Sequence, residues 1–199
     1  ARKGVGRYIL RIRGKAAHAG LDPGGGASAI LELSHQIQQL FALNDPTAGV
    51  TVNVGVVDGG LQPNVIAPES SAQIDVRVPT HDAATRIDAA IRGLTPMTPG
   101  VSLKIEGRVG RPPMEPDEDS RRLWARATAA ASALGIPLEQ GMAGGGSDGN
   151  FTSQFTPTLD GLGAVGDGAH AHHEHVLLDY FSERAALLAL LLNEPPLFP

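Results

Sequence analysis

The first hundred residues alternate between two hydrophobic periods, and this alternation constrains the fold more than any other feature of the 199-residue sequence. A period of two residues is typical of a half-buried strand, whereas apolar residues three and four apart are typical of a helix packed on a core. Strand patterns occupy residues 6–14, 48–60, 70–80 and 100–107, and helix patterns occupy residues 27–43 and 80–94. The resulting order, βαββαβ, predicts a two-layer α+β sandwich in which both helices cover one face of an antiparallel sheet.

The pattern changes in the second half of the chain. It predicts a helix at 117–134, short strands near 137 and at 158–165, and a final helix at 179–193. Two short strands by themselves would leave sheet edges and apolar helix faces uncovered. We therefore expect a first domain at 5–108 and, at 109–199, part of a larger α/β domain whose other strands lie outside this chain.

Composition excludes several classes of function. The formal net charge is −5 and no block of Lys or Arg is present, so neither a nucleic acid nor an anionic membrane is expected as a partner. No apolar run approaches the roughly 18 residues that a membrane-spanning helix needs. There is no cysteine, so the chemistry has to use His, Asp, Glu, Ser or Arg.

A histidine-rich loop is the most conspicuous candidate site. Residues 170–175 contain four histidines beside Glu174: His170, His172, His173 and His175. Imidazole is a common metal ligand, but loop histidines one or two residues apart rarely bind the same ion. One ligand from this loop is therefore the favoured metal hypothesis, and a solvated polar loop is the alternative.

Three further features can carry chemistry. His18 follows the first strand between small residues, so its ring can project into a ligand or remain an ordinary surface side chain. The glycines at 144–146 precede Ser147, and backbone N–H groups there can hold a carboxylate or form a plain turn. Arg111 stands before two prolines, which suits a carboxylate clamp or a linker.

Together these stretches resemble the M20 family of metal-dependent exopeptidases and deacylases, especially its carboxypeptidase G2-like glutamate carboxypeptidases. "GKAAHAG" and "LQPNVIAPESSAQIDVRV" look like the lid or dimerisation domain of that family. "GRPPM", "GGGSDGNF" and "GAHAHHEHV" look like the C-terminal part of its catalytic domain. The resemblance covers nearly the whole chain and implies a βαββαβ lid followed by a partial α/β zinc-peptidase domain.

The resemblance also implies roles for single residues. His170, with Glu174 four residues later, matches the last metal ligand, and the other three histidines match no ligand position. His18 matches the lid histidine that reaches into the active site of the partner subunit in a homodimer and polarises the scissile carbonyl. The positions that match the substrate site are Asn64, Arg111, Gly145, Gly146 and Ser147. The implied cofactor is a pair of zinc ions, with cobalt or manganese as alternatives.

The sequence departs from the family at one point. It contains neither the His-x-Asp pair nor the Glu-Glu pair that supply the family's other ligands and general base. We therefore expect this chain to lack the N-terminal catalytic segment and, alone, to hold no zinc pair and to be inactive. The expected parent is a cytoplasmic metallo-hydrolase of peptide or N-acyl amino-acid bonds whose substrate has a free carboxylate.

Three alternatives stay open. The chain can be an inactive dimerisation module. It can belong to a deacylase related to succinyl-diaminopimelate desuccinylase or acetylornithine deacetylase. A histidine-rich metal-binding loop is the third, in which His172 and His173 would matter as much as His170.

Overall fold

A four-stranded antiparallel sheet forms the first half of the protein, in a computed structural model that describes residues 1–196. The strands lie in the order β2-β3-β1-β4, so β1 is central and β2 and β4 are the edges. Two helices pack on one face of this sheet. The bounds are β1 Gly4–Arg13, α1 Ala29–Ala42, β2 Thr51–Gly59, β3 Glu69–Val78, α2 His81–Arg92 and β4 Ser102–Arg111. The predicted βαββαβ order and the α+β fold class are confirmed.

The alternating strand pattern places one set of side chains in the core. Tyr8, Leu10 and Ile12 of β1 are almost fully buried beneath the helices. The intervening residues point to the opposite, open face of the sheet, because successive side chains of a strand alternate. Helices α1 and α2 both lie on the other side of the sheet and leave this face open.

Side-chain caps begin both helices. The Ser28 hydroxyl accepts a hydrogen bond from the backbone N–H of Leu31 at the start of α1. The Thr80 hydroxyl caps α2 in the same way, accepting from the N–H of Ala83 at 3.1 Å. Such caps satisfy N–H groups that have no partner within the helix.

The buried face of α1 differs from the one that hydropathy alone indicates. Ile30 and Phe41 belong to the apolar spacing of the helix, yet each is 46% exposed. Glu32 and Gln36 are fully buried instead. The Gln36 amide nitrogen donates to the Glu32 carboxylate and to the Thr95 carbonyl, and the Thr98 N–H also donates to Glu32, so the buried carboxylate is paired.

The second half is less regular. Its bounds are α3 Glu118–Ala133, α4 Gly149–Thr152, β5 Gly166–Asp167, β6 His175–Val176 and α5 Phe181–Asn193. The predicted strands near 137 and at 158–165 are wrong, because residues 136–138 and 157–165 have no strand structure. A strand needs a hydrogen-bonded neighbour, and β5 and β6 pair only with each other.

The two halves meet at the start of β1. Arg2 and Met114 exchange backbone hydrogen bonds, and Lys3 donates its N–H to the Ala143 carbonyl. Strand β4 continues to Arg111, so the domain boundary expected at residue 108 falls inside this strand. The division of the chain into two domains stays a prediction. Within residues 1–196, no helix is long and apolar enough to cross a membrane.

Candidate active site residues

The ring of His18 is oriented by the turn that follows it. Its Nδ1 accepts hydrogen bonds from the backbone N–H groups of Gly20 at 3.1 Å and Leu21 at 3.2 Å. A ring nitrogen that accepts cannot carry the proton, so the proton lies on Nε2. The side chain is exposed. His18 therefore presents its Nε2–H donor away from its own turn.

Asn64 lies beside His18. Val65 pairs with His18 across a β-bridge, and the Asn64 carbonyl accepts from the N–H of Ala19 at 2.9 Å. These contacts continue an antiparallel pairing that begins where Gly14 donates to the carbonyl of Pro68. The Asn64 side chain is exposed, so its amide is accessible to a ligand.

Arg111 lies at the other end of the sheet. It stands opposite Val5 in the register of β1 and β4. Its guanidinium lies over the ring of Phe151, 5.1 Å from the ring centroid, which is a cation–π distance. A Cβ on Gly146 would lie 2.6 Å from Arg111 Cδ, so the arginine stem packs directly on the glycine backbone. The predicted substrate residues Arg111 and Gly146 are thus in contact.

The glycine-rich segment is anchored by an ion pair that sequence reasoning missed. Arg2 binds Asp160 through two hydrogen bonds, at 2.8 and 3.1 Å, and donates a third to the Gly145 carbonyl at 3.1 Å. The Ser147 hydroxyl also donates to Asp160. Burial alone would raise the pKa of Asp160, but the hydrogen bonds from Ser147 and Arg2 lower it below its usual value. Ser147 is therefore engaged in positioning this segment.

Asn150 is a second missed residue. It is fully buried, accepts from the Ser147 N–H at 2.8 Å, and donates to the carbonyls of Pro112 at 2.8 Å and Lys3 at 3.2 Å. These bonds join the glycine segment, the proline turn after Arg111 and the start of β1. Its partners are up to 147 residues away, so no local pattern could have indicated this role.

The histidine loop is the tip of the β5–β6 hairpin. His170 has φ of 68°, and it is the one residue other than glycine with positive φ within residues 1–196. Such a backbone is uncommon outside glycine and is often retained at functional positions. The four histidines are exposed, and the His170 N–H bonds the Glu174 carboxylate at 3.3 Å. The backbone thus distinguishes His170 from its neighbours.

A metal site is not complete in this part of the protein. Among residues 1–196, no three His, Asp or Glu side chains converge in a way that could hold an ion. Zinc sites take three or four protein ligands, whereas only His170 matches a ligand position. These residues therefore do not form a zinc site on their own.

The candidate residues form two separate groups. Strand β1 begins beside Arg111, which lies opposite Val5, and ends at Arg13, before His18. Eight steps at about 3.3 Å per residue separate Val5 from Arg13 by roughly 26 Å. The extended pairing of residues 14–19 carries His18 beyond that end. Consequently His18 and Asn64 lie too far from Arg111 of the same chain for one small ligand to contact all three.

Comparisons with known proteins agree with this architecture. Residues 1–95 match the family model described as the peptidase dimerisation domain M20_dimer. Carboxypeptidase G2 of Pseudomonas sp. is 26% identical over 202 residues, which cover 96% of this chain and 47% of that protein. A probable carboxypeptidase of Uncinocarpus reesii is 30% identical over 133 residues, covering 59% of this chain and 30% of that protein.

Solved structures show the same fold. Aminopeptidase PepT of Bacillus cereus superimposes with a TM-score of 0.77 at 22% identity, over 96% of this chain and 51% of that one. A tripeptidase of Staphylococcus aureus gives 0.72 at 20% identity, over 96% and 51%. The chain spans about half the length of the first curated relatives it matches, Carboxypeptidase G2 and YqjE of Bacillus subtilis.

Proposed function

We propose that the protein is a peptidase of the M20 family that hydrolyses peptide or N-acyl amino-acid bonds at a site shared by two subunits; the match of residues 1–95 to the peptidase dimerisation domain supports this. The observation that carries the proposal is the separation of the two residue groups along β1. One subunit supplies His18 and Asn64, and the other supplies Arg111 and the glycine segment.

His18 stabilises the charge that develops during the reaction. Its Nε2–H donor is fixed in direction by the two backbone hydrogen bonds to Nδ1. A preoriented donor stabilises an oxyanion without reorganising, which is the usual source of rate enhancement at such positions.

Arg111 holds the free carboxylate of the substrate. A guanidinium presents a planar pair of donors that matches a carboxylate. Phe151 and Gly146 restrict the position of that group from two sides. From across the site, Asn64 of the other protomer supplies an amide donor. Recognition of a free carboxylate favours exopeptidase or deacylase chemistry over internal cleavage.

A second copy of the chain would cover the apolar edge of the lid. Strand β2 is an edge strand, and its residues Val56 and Val57 are 53% and 56% exposed. Ile30 and Phe41 of α1 add two further exposed apolar side chains. Unpaired strand edges are stabilised by pairing with another strand. This surface therefore supports a homodimer.

Zinc dependence rests on His170, which matches the last metal ligand of the family. His170 can supply one imidazole ligand, and Glu174 holds the backbone of the same loop. Because residues 1–196 do not complete a metal site, no step of the reaction is assigned to a metal. Zinc dependence and a cytoplasmic location stay predictions.

Subunit complementation tests the shared site. In the complete protein, His18→Ala and Arg111→Ala are each expected to abolish hydrolysis of a panel of N-acyl amino acids and dipeptides. Mixed dimers of the two variants contain one intact site, so random reassociation should restore about a quarter of wild-type activity. A site formed within one chain gives no recovery, and that outcome would contradict the proposal.

Turnover of the same panel of N-acyl amino acids and dipeptides distinguishes a peptidase from a deacylase and from an inactive dimerisation module. Cleavage of N-succinyl or N-acetyl amino acids in preference to dipeptides would indicate a deacylase. Absence of turnover on every substrate would indicate an inactive dimerisation module.

A further inference from the structure

Asn150 lies behind the wall of the cavity that contains the proposed carboxylate site. The cavity has a volume of about 440 Å³, which is in the range of sites for small ligands. Its lining comes from the open sheet face, the glycine segment and α4, and includes Arg7, Arg77, Arg111, Gly146 and Phe151. Asn150 itself is fully buried and does not line the cavity. Any effect of its side chain on a ligand therefore passes through the groups that it holds.

The three hydrogen bonds of the Asn150 side chain all end on backbone beside the proposed site. Its Oδ1 accepts from the Ser147 N–H at 2.8 Å, next to the glycine segment. Its Nδ2 donates to the carbonyl of Pro112 at 2.8 Å, directly after Arg111, and to the carbonyl of Lys3 at 3.2 Å. One amide thus fixes the glycine segment, the end of β4 and the start of β1 relative to one another.

The groups on either side of Asn150 have donors that are free to bind a ligand. Neither Gly145 nor Gly146 uses its backbone N–H in a hydrogen bond within residues 1–196. Over the same residues the Arg111 guanidinium forms no ion pair and lies over the ring of Phe151. Two sets of donors bind one carboxylate only when both lie within about 3 Å of its oxygens. Their separation therefore limits the affinity, and the Asn150 amide sets this separation.

We propose that Asn150 is a positioning residue, which keeps the Arg111 guanidinium and the glycine segment at the separation that binds the free carboxylate of the substrate. The inference rests on the proposed function and adds a residue that selects a free carboxylate without touching it. An amide suits this place because one side chain has to supply an acceptor to an N–H and donors to two carbonyls.

Asn150→Asp removes the two donated hydrogen bonds at nearly constant shape. A carboxylate accepts from the Ser147 N–H as the amide does, but it has no proton to donate. It also turns a negative charge toward the carbonyls of Pro112 and Lys3, and the repulsion displaces the backbone beside Arg111. We expect this displacement to weaken the binding of a carboxylate and to leave the other ligand contacts unchanged.

Calorimetry with two probes measures this effect in the complete protein. N-acetyl-L-glutamine has one carboxylate, and in its α-carboxamide a neutral amide replaces that carboxylate. We expect the wild type to bind the acid about tenfold more tightly than the carboxamide. Asn150→Asp should lose most of this preference through weaker binding of the acid, with its affinity for the carboxamide unchanged. A side chain that only stabilises the fold would not change the ratio of the two affinities.

Asn44→Asp is the matched control. The Asn44 amide also makes three hydrogen bonds to backbone: it donates to the carbonyls of Phe41 at 3.0 Å and Val52 at 2.8 Å, and it accepts from the Val52 N–H at 2.9 Å. It lies between α1 and β2, and β2 is the opposite edge of the sheet from β4, which carries Arg111. The same substitution there should leave the preference for the acid intact.

Asn150→Ser is a second variant, which removes the amide without adding a charge, and circular dichroism shows whether each variant is folded. A preference for the acid that survives in a folded Asn150 variant, or an equal loss of affinity for both probes, would overturn the inference. Unfolding of both variants would count against it, since the residue would then serve the fold. Equal binding of both probes by the wild type would overturn it together with the Arg111 clamp. Hydrolysis is tested separately, by turnover in mixed dimers.

Discussion

Replacement of Glu32 is expected to destabilise the lid more than any surface substitution. The side chain is fully buried on α1, and its carboxylate accepts hydrogen bonds from Gln36 Nε2 at 2.6 Å and from the Thr98 N–H at 2.6 Å. The Met97 N–H lies 3.1 Å from both carboxylate oxygens. The carboxylate thus satisfies three donors and joins α1 to the segment between α2 and β4.

The expected loss in the free energy of unfolding follows from the hydrogen-bond donors that a Glu32 substitution leaves without an acceptor. Each buried donor that loses its partner costs about 1–3 kcal/mol, so Glu32→Ala should lower the free energy of unfolding by at least about 3 kcal/mol. Glu32→Gln keeps the shape and one acceptor oxygen but turns an NH2 group toward a donor. Its expected cost is about 1–3 kcal/mol. Glu69→Gln is the control, because Glu69 is exposed and its substitution should stay within about 0.5 kcal/mol.

The pH dependence of protein stability provides an independent check on the role of the Glu32 carboxylate. Burial alone would raise the pKa of Glu32, but hydrogen bonds from Thr98, Gln36 and the backbone at 97–98 lower it below its usual value of 4.5. A group with a lowered folded-state pKa stabilises the protein above its unfolded pKa, and this stability is lost as the pH falls through the folded pKa. The wild type should therefore lose stability below about pH 4.5 more steeply than Glu32→Gln.

Urea unfolding followed by far-ultraviolet circular dichroism measures these differences. The single tryptophan, Trp124, lies in α3, so fluorescence reports mainly on the second half of the chain. The stabilising role of the Glu32 carboxylate would be contradicted if Glu32→Ala lowered the free energy of unfolding by less than about 1 kcal/mol at neutral pH. It would also be contradicted if Glu32→Gln kept the acid dependence of the wild type.

Two further substitutions have defined outcomes. Tyr8→Phe removes the 2.7 Å hydrogen bond from the tyrosine hydroxyl to Asp88 and should lower the free energy of unfolding by about 1–2 kcal/mol in urea; an unchanged midpoint would show that this bond adds nothing. Gly146→Ala places a Cβ 2.6 Å from Arg111 Cδ, so it should displace the arginine and weaken N-acetyl-L-glutamine binding several-fold while leaving stability nearly unchanged, since the arginine stem can move. Gly144→Ala is the control because nothing lies within 4 Å of its added Cβ, and equal effects at both glycines would contradict the proposed contact.

The sequence by itself determined the architecture of the first half. The change between periods of two and of three to four residues identifies strands and helices because each element has to bury one side in a shared core. Two of the motifs that carry the family resemblance, "GKAAHAG" and "LQPNVIAPESSAQIDVRV", lie within residues 1–95, which match the peptidase dimerisation domain. The Thr80 cap can also be recognised in the sequence, because its hydrogen bond joins residues only three positions apart.

Tertiary structure decided everything that depends on distant partners. Glu32 is buried on a helix whose apolar Ile30 is exposed, because loop donors some 65 residues later satisfy its carboxylate. The short strands predicted in the second half are absent because strand structure requires a neighbouring strand, which periodicity does not reveal.

The same limit applies to the candidate site. Sequence patterns selected His18 and Arg111 separately, but only the course of β1 shows that they lie roughly 26 Å or more apart in one chain. Only strand register places Arg7 opposite Asp75 and on the face that Arg111 shares. Local periodicity records which side of an element is buried, whereas a site is made by the pairing of elements that are far apart in the chain.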